Sequence, residues 1–109
     1  MMAGPLTVRW SKGERTFEPG AVITIGRDDS AEIVLDNRNV SRQHARAQVR
    51  EDGRWVLTDL GSSQGSYLYG SRATTVIIDG PTIVMLGRAP GGEPVQLSVS
   101  SRGPQAWPT

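Results

Sequence analysis

The chain has no cysteine, a single histidine (His44) and a single lysine (Lys12). Without cysteine there is no disulfide framework and no thiolate metal site. One imidazole cannot build a histidine-based zinc centre, so no metal or other cofactor is expected. No run approaches 18 apolar residues, which excludes a membrane-spanning helix. The opening Met1-Met2-Ala3-Gly4-Pro5 lacks the basic and apolar regions of a secretory signal, so a cytoplasmic location is expected. Charge of one sign is also missing: 12 basic residues face 11 acidic ones, a net charge of +1. A nucleic-acid binder usually carries a marked basic excess, so nucleic acid is not an expected partner. No G-x-x-x-x-G-K-[ST] phosphate loop occurs, which leaves nucleotide hydrolysis without support.

What is present is 109 residues, 37% of them hydrophobic, enough for one domain with one core. The pattern is short runs of period two between turn signals. Leu6–Trp10 alternates, Ser11-Lys12-Gly13 turns, and Arg15–Glu18 returns. After the turn signal Pro19-Gly20 comes the β-branched run Val22–Ile25, ending at Gly26, and then a very short run, Ile33–Leu35. Ala45, Ala47 and Val49 alternate with Arg46, Gln48 and Arg50, one face for a core and one for water. Further strands are expected at Arg54–Thr58, Ser66–Tyr69, Thr75–Ile78, Thr82–Leu86 and Val95–Val99. The nearest approach to a helix, Ser41 to Arg50, fits period two better than 3.6. About ten short strands and no helix predict an all-β sandwich or barrel. Past Val99 the composition turns to Ser, Gly and Pro, which predicts a flexible linker and suggests a domain of a longer protein.

Two patterns suggest catalysis on paper. Gly61-Ser62-Ser63-Gln64-Gly65 matches the nucleophile elbow G-x-S-x-G, but the only histidine precedes it and no helix follows. Ser41, His44 and Asp59 could be written as a triad, yet a lone histidine opening an amphipathic strand is more often structural. The chain is therefore not expected to be an enzyme. A third pattern is a set of loop residues: Gly26-Arg27 past a strand end, Ser41-Arg42 before a strand, and Ser62–Gly65 between strands. In a β-sandwich such connections gather at the sheet ends. An arginine fork, hydroxyls and exposed amides suit a phosphate dianion. Read from chemistry alone, ordinary turn residues with a solvated arginine explain the same pattern equally well.

The order and spacing carry a resemblance. Gly26-Arg27, then Ser41-Arg42-Gln43-His44, then Asp59-Leu60-Gly61-Ser62-Ser63-Gln64-Gly65 resembles the Gly-Arg, Ser-x-x-His and D-L-G-S-x-N-G motifs of the forkhead-associated (FHA) domain. The likeness spans about Leu6 to Val99, and the opening half is most similar to FHA modules of actinobacterial ABC transporters. The resemblance implies a β-sandwich of about eleven strands whose loop tips bind phosphothreonine peptides. The expected division is a disordered N-terminus at 1–5, an FHA domain at 6–99 and a flexible linker at 100–109.

At the matching positions the resemblance implies that Arg27 pairs with the phosphate and Ser41 donates its hydroxyl to it. Ser63 would contact the phosphothreonine, and Arg42 would add a second cation. Gly26 and Gly65 would fix backbone turns, and His44 would brace the Ser41 loop. Gln64 stands where the family has an asparagine that grips the peptide backbone. That departure feeds a rival expectation, a docking module that needs no phosphate. The implied partners are a phosphothreonine-bearing protein, separate or part of the same full-length chain, and a Ser/Thr kinase. Direct membrane insertion is not expected, although the domain fits the cytoplasmic part of a membrane protein.

Overall fold

The computed structural model describes residues 3–100, so residues 1–2 of the expected N-terminal segment and 101–109 of the expected linker lie outside the described residues. Eleven strands form: β1 (Leu6–Trp10), β2 (Gly13–Phe17), β3 (Ile23–Gly26), β4 (Ile33–Val34), β5 (Ala45–Val49), β6 (Trp55–Asp59), β7 (Ser66–Leu68), β8 (Ser71–Arg72), β9 (Thr75–Ile77), β10 (Thr82–Leu86) and β11 (Glu93–Val99). Among the described residues there is no helix. Ten of these strands coincide with the period-two runs. The extra one, β8, is two exposed residues long, too short for any alternation to register.

The strands make two sheets, ordered β2-β1-β11-β10-β7-β8 and β4-β3-β5-β6-β9. The core lies between them. Leu6 and Val8 of β1, Val84 and Leu86 of β10, and Val95 and Leu97 of β11 are buried from one side. Ile23 and Ile25 of β3, Ala45 and Ala47 of β5, and Trp55 and Leu57 of β6 are buried from the other. Burying a Val, Leu or Ile side chain contributes about 1.5–3 kcal/mol, and the period-two spacing puts every second residue of these strands on the core face. Because that period is two, a one-residue slip would expose the whole set, which fixes pairings such as Ile25↔Ala45 and Ala47↔Leu57. Ahead of β1, Gly4 is also buried, and its carbonyl accepts the Trp55 indole N–H at 2.8 Å.

One end of the sandwich gathers four connections. Arg27 N–H donates to Ser41 O at 3.0 Å, Leu60 N–H to His44 O at 2.9 Å, and Gly87 N–H to Gly65 O at 2.8 Å. The Asn39 side-chain amide donates to Gly91 O at 2.9 Å. These bonds tie the β3–β4, β4–β5, β6–β7 and β10–β11 loops into one surface. All the motif residues singled out in the sequence lie on it.

Candidate functional site

Gly26 ends β3 directly beneath the Ser41-Arg42 backbone. A Cβ there would stand 2.1 Å from Arg42 O and 2.9 Å from Ser41 O. Only a residue without a Cβ permits that approach. The overlying strand of chain is held by Arg27 N–H to Ser41 O at 3.0 Å and Asp28 N–H to Arg42 O at 3.1 Å. Arg27 is thereby placed at the sheet end. Its Nε–H donates to Val40 O at 3.0 Å, which orients the guanidinium. The side chain is exposed, so its two terminal NH2 groups remain for an anion.

Ser41 and Ser63 meet across the loops, Oγ to Oγ at 3.4 Å. The Ser63 amide donates to Ser41 Oγ at 3.1 Å. Ser41 Oγ is fixed by the Ser63 amide and Arg27 Nε by the Val40 carbonyl, and an arginine fork with two nearby hydroxyl residues is chemically suited to an anion. Arg42 is also here, but its NH2 donates to Asp28 Oδ1 at 2.9 Å. Hydrogen bonds from Ser30 first, and from Arg42, hold the Asp28 carboxyl below the usual carboxylate range. The Arg42 charge is therefore already partnered, unlike that of Arg27. Gln64 is half-buried in the same turn as Ser63.

The turn carrying Ser63 is shaped by Asp59. Its Oδ2 accepts the amides of Gly61 and Ser62 at 3.0 and 2.9 Å, and its Oδ1 accepts the hydroxyls of Ser62 and Ser66, both at 2.6 Å. Ser62 Oγ in turn accepts Gly65 N–H at 2.9 Å. Burial pushes the Asp59 carboxyl up, but the Ser62 and Ser66 hydrogen bonds and nearby His44 outweigh it and leave its pKa lowered. Ser66 and the anchoring carbonyl of Val40 escaped sequence reasoning. The D-x-x-S spacing of Asp59 and Ser62 is a recognisable side-chain-capped turn signal, but Ser66 lies seven residues from Asp59 and a backbone carbonyl carries no signal at all.

His44 is fully buried. Its Nδ1 accepts Ser41 N–H at 3.0 Å, and its Nε2 lies 2.9 Å from Gly65 O. An amide can only donate, so Nδ1 is the acceptor and Nε2 carries the single proton of a neutral ring. Asp59 sits 3.6 Å from Nε2. Both ring nitrogens are committed to backbone, so the Ser41–His44–Asp59 set is not arranged as a hydrolytic triad. The imidazole instead ties the Ser41 loop to the Ser63 turn.

Burial lowers the His44 pKa from 6.5, against the opposing pull of Gly65 O and Asp59. As pH falls through about 6.5 the unfolded chain takes up a proton that the folded ring resists. Stability is thus complete above that pH and declines below it, until the folded ring titrates. Denaturant midpoints should fall between pH 7.5 and 5.5, and His44→Gln should flatten that slope. His44→Ala should cost about 2–4 kcal/mol through the cavity and the orphaned Ser41 amide. An unchanged pH slope in His44→Gln would remove His44 as its source.

A family model described as the FHA domain matches residues 23–87. A Mycobacterium tuberculosis ABC transporter ATP-binding/permease protein, Rv1747, is 36% identical over 123 aligned residues, covering 95% of this chain. The chain spans 14% of that transporter's length. The crystal structure of Mycobacterium tuberculosis Rv1747 FHA-1 superposes with a TM-score of 0.84 at 33% identity, covering 91% of this chain and 99% of that one. Mycobacterium tuberculosis EmbR, solved in complex with a low-affinity phosphopeptide, is similar at 27% identity and a TM-score of 0.68, over 92% of this chain and 26% of that one.

Proposed function

This chain belongs to the forkhead-associated family, and from that premise we propose that it is a phosphothreonine-peptide recognition module, binding without catalysis. The observation that carries the reading is the set Arg27, Ser41 and Ser63: a guanidinium oriented by the carbonyl of Val40, the residue before Ser41, and two hydroxyls 3.4 Å apart. Charge-assisted hydrogen bonds to a dianion are about twice as strong as neutral ones. A similar EmbR structure holds a phosphopeptide, which supports the same ligand class here. Gly26, His44 and Gly65 serve to hold the cradle's backbone. Arg42, its charge compensated by Asp28, reaches a ligand only at the cost of that ion pair.

The domain spans 6–99, with flanking segments at 1–5 and 100–109. It would report the action of a Ser/Thr kinase to a larger protein, as a cytoplasmic part of it. Among the described residues no helix is long and apolar enough to cross a membrane.

Gln64 favours a rival reading, docking that ignores phosphate. The two are separated by titrating a phosphothreonine peptide and its unphosphorylated twin. The phosphorylated form should bind at least tenfold tighter, and its affinity should fall from pH 7.5 to 5.5 as the phosphate, with a second pKa near 6, loses its second charge. Equal binding of the twins would establish the rival. Gln64→Asn should tighten phosphopeptide binding a few-fold, because a glutamine amide immobilises one more rotatable bond at roughly 0.5–1.5 kcal/mol per ordered side chain. Weaker binding by that variant would mean that Gln64 makes a specific contact of its own.

A further inference from the structure

Beyond the phosphate cradle, the β6–β7 turn has a second face. Tyr67 and Arg72 are direct cross-strand partners in β7 and β8, so their side chains share one face of the sheet. Gly65, two residues before Tyr67, faces the same way. A Cβ on Gly65, whose φ is +88°, would stand 2.9 Å from Arg72 Nε and 3.1 Å from the Tyr67 hydroxyl. The Arg72 guanidinium therefore lies over the bare glycine, beside the phenol. Arg88, from the β10–β11 loop, approaches the same phenol and has its pKa raised by it. Tyr67 and Arg88, with Gly70, Met85 and Ala89, line a cavity of about 250 Å³.

Two cations thus converge on one tyrosine. Arg9, Arg15, Arg42, Arg50 and Arg54 each have a carboxylate within 4.0 Å. Arg72 and Arg88 have none among the described residues, as is true of Arg27, Arg38 and Arg46, and what sets these two apart is the phenol they share. Bringing like charges together without a counter-ion is unfavourable, and an arriving carboxylate would relieve it. The location matters as much as the charge. Ser63 of this turn faces Ser41, and Gly65, two residues later, lies under Arg72. A ligand in extended form advances about 3.3 Å per residue, so one crossing the turn meets both within a few residues.

We propose that Arg72 and Arg88 form an acid-reading subsite beside the phosphate cradle. The segments this domain selects carry Asp or Glu a few residues from the phosphothreonine. The guanidinium forks take the carboxylate, and the Tyr67 ring and Met85 pack against its methylenes. This rests on the phosphothreonine reading and specifies its substrate class.

The test is a phosphothreonine peptide with alanine flanks, in which each flanking position is replaced in turn by Asp, Glu, Leu or Lys. Wild type should favour an acid over alanine at one position by about three- to tenfold, the modest range expected of a partly solvated ion pair. Arg72→Gln/Arg88→Gln should bind acidic and alanine peptides alike, and Arg72→Glu/Arg88→Glu should reverse the preference toward Lys. Circular dichroism checks that these exposed-site variants fold. Phosphate-dependent binding with no acidic preference, or a preference for Leu alone, overturns the subsite and leaves the cradle standing. An equal loss for every phosphopeptide in the double variant overturns it too, because the arginines would then hold the phosphate. Indifference of wild type to phosphate removes the cradle reading, and the subsite with it.

Discussion

Arg27→Ala should weaken binding of a phosphothreonine peptide by roughly 10- to 150-fold, the equivalent of about 1.5–3 kcal/mol for a hydrogen bond to a charged group. The domain should keep its melting temperature, because the Arg27 side chain is exposed and its one internal bond, to Val40 O at 3.0 Å, is peripheral to the core. Arg27→Lys separates charge from geometry. Lysine keeps the charge but has no Nε–H to orient against Val40 and no planar fork. Its affinity should fall between wild type and alanine. Calorimetry with one phosphopeptide reads all three proteins. Alanine and wild type binding equally would place the phosphate elsewhere, and a lysine variant equal to wild type would reduce the orientation by Val40 to an incidental contact.

Gly26→Ala should damage fold and binding together. The new methyl would stand 2.1 Å from Arg42 O and 2.8 Å from Arg42 C, and both are backbone atoms that cannot swing aside. Relief requires lifting the Ser41-Arg42 segment away from β3, which breaks the bonds from Arg27 N–H and Asp28 N–H. Overpacking of about 1–3 kcal/mol and two lost bonds of about 0.5–1.5 kcal/mol each sum to roughly 2–6 kcal/mol. For a domain of this size the melting temperature should fall by about 10 °C or more. Ser41 would move away from Ser63, so residual folded protein should bind phosphopeptide far more weakly. Gly20→Ala is the control, since a Cβ there meets nothing within 4 Å. Thermal melts of the two variants decide the matter. A Gly26→Ala protein as stable as Gly20→Ala would mean that the loop has room to move.

Each observed ion pair among the described residues other than His44–Asp59 is solvated on at least one side, and such pairs contribute little to stability. The stability of the site end lies instead in groups with several partners: buried His44, bridging Ser41 and Gly65, and half-buried Asp59, holding four donors. As pH falls these two act in different windows. The neutral ring of His44 gives up its contribution below about 6.5. The Asp59 carboxyl holds its contribution above about 3.8 and loses it as the pH falls from there through its lowered folded value.

The sequence by itself determined the class of fold. Side chains alternate across a strand with period two, so runs such as Leu6–Trp10 and Ala45–Val49 declare both strand and buried face locally. It also brought Arg27, Ser41 and Ser63 forward, because each sits in a short motif whose order and spacing resemble the family pattern, whereas their chemistry alone fits ordinary turns equally well. What tertiary structure decided is which loop residues have partners and which do not. Arg27 and Arg42 look alike in the chain, yet only Arg42 meets a carboxylate, Asp28, fourteen positions away. Ser41, His44 and Asp59 can be written as a triad from sequence, and the favoured structural reading of His44 acquires its geometry only when the backbone amide of Ser41 is seen on Nδ1. Arg72 had no local signal, because β8 is two residues long and its role depends on the β7–β8 register that sets it opposite Tyr67. Arg88 joins them only through the packing of the β10–β11 loop against the β6–β7 turn, by the Gly87–Gly65 bond. Periodicity is a property of neighbouring residues. A site built from the ends of four connections depends on long-range pairing, and that is encoded in no single window of sequence.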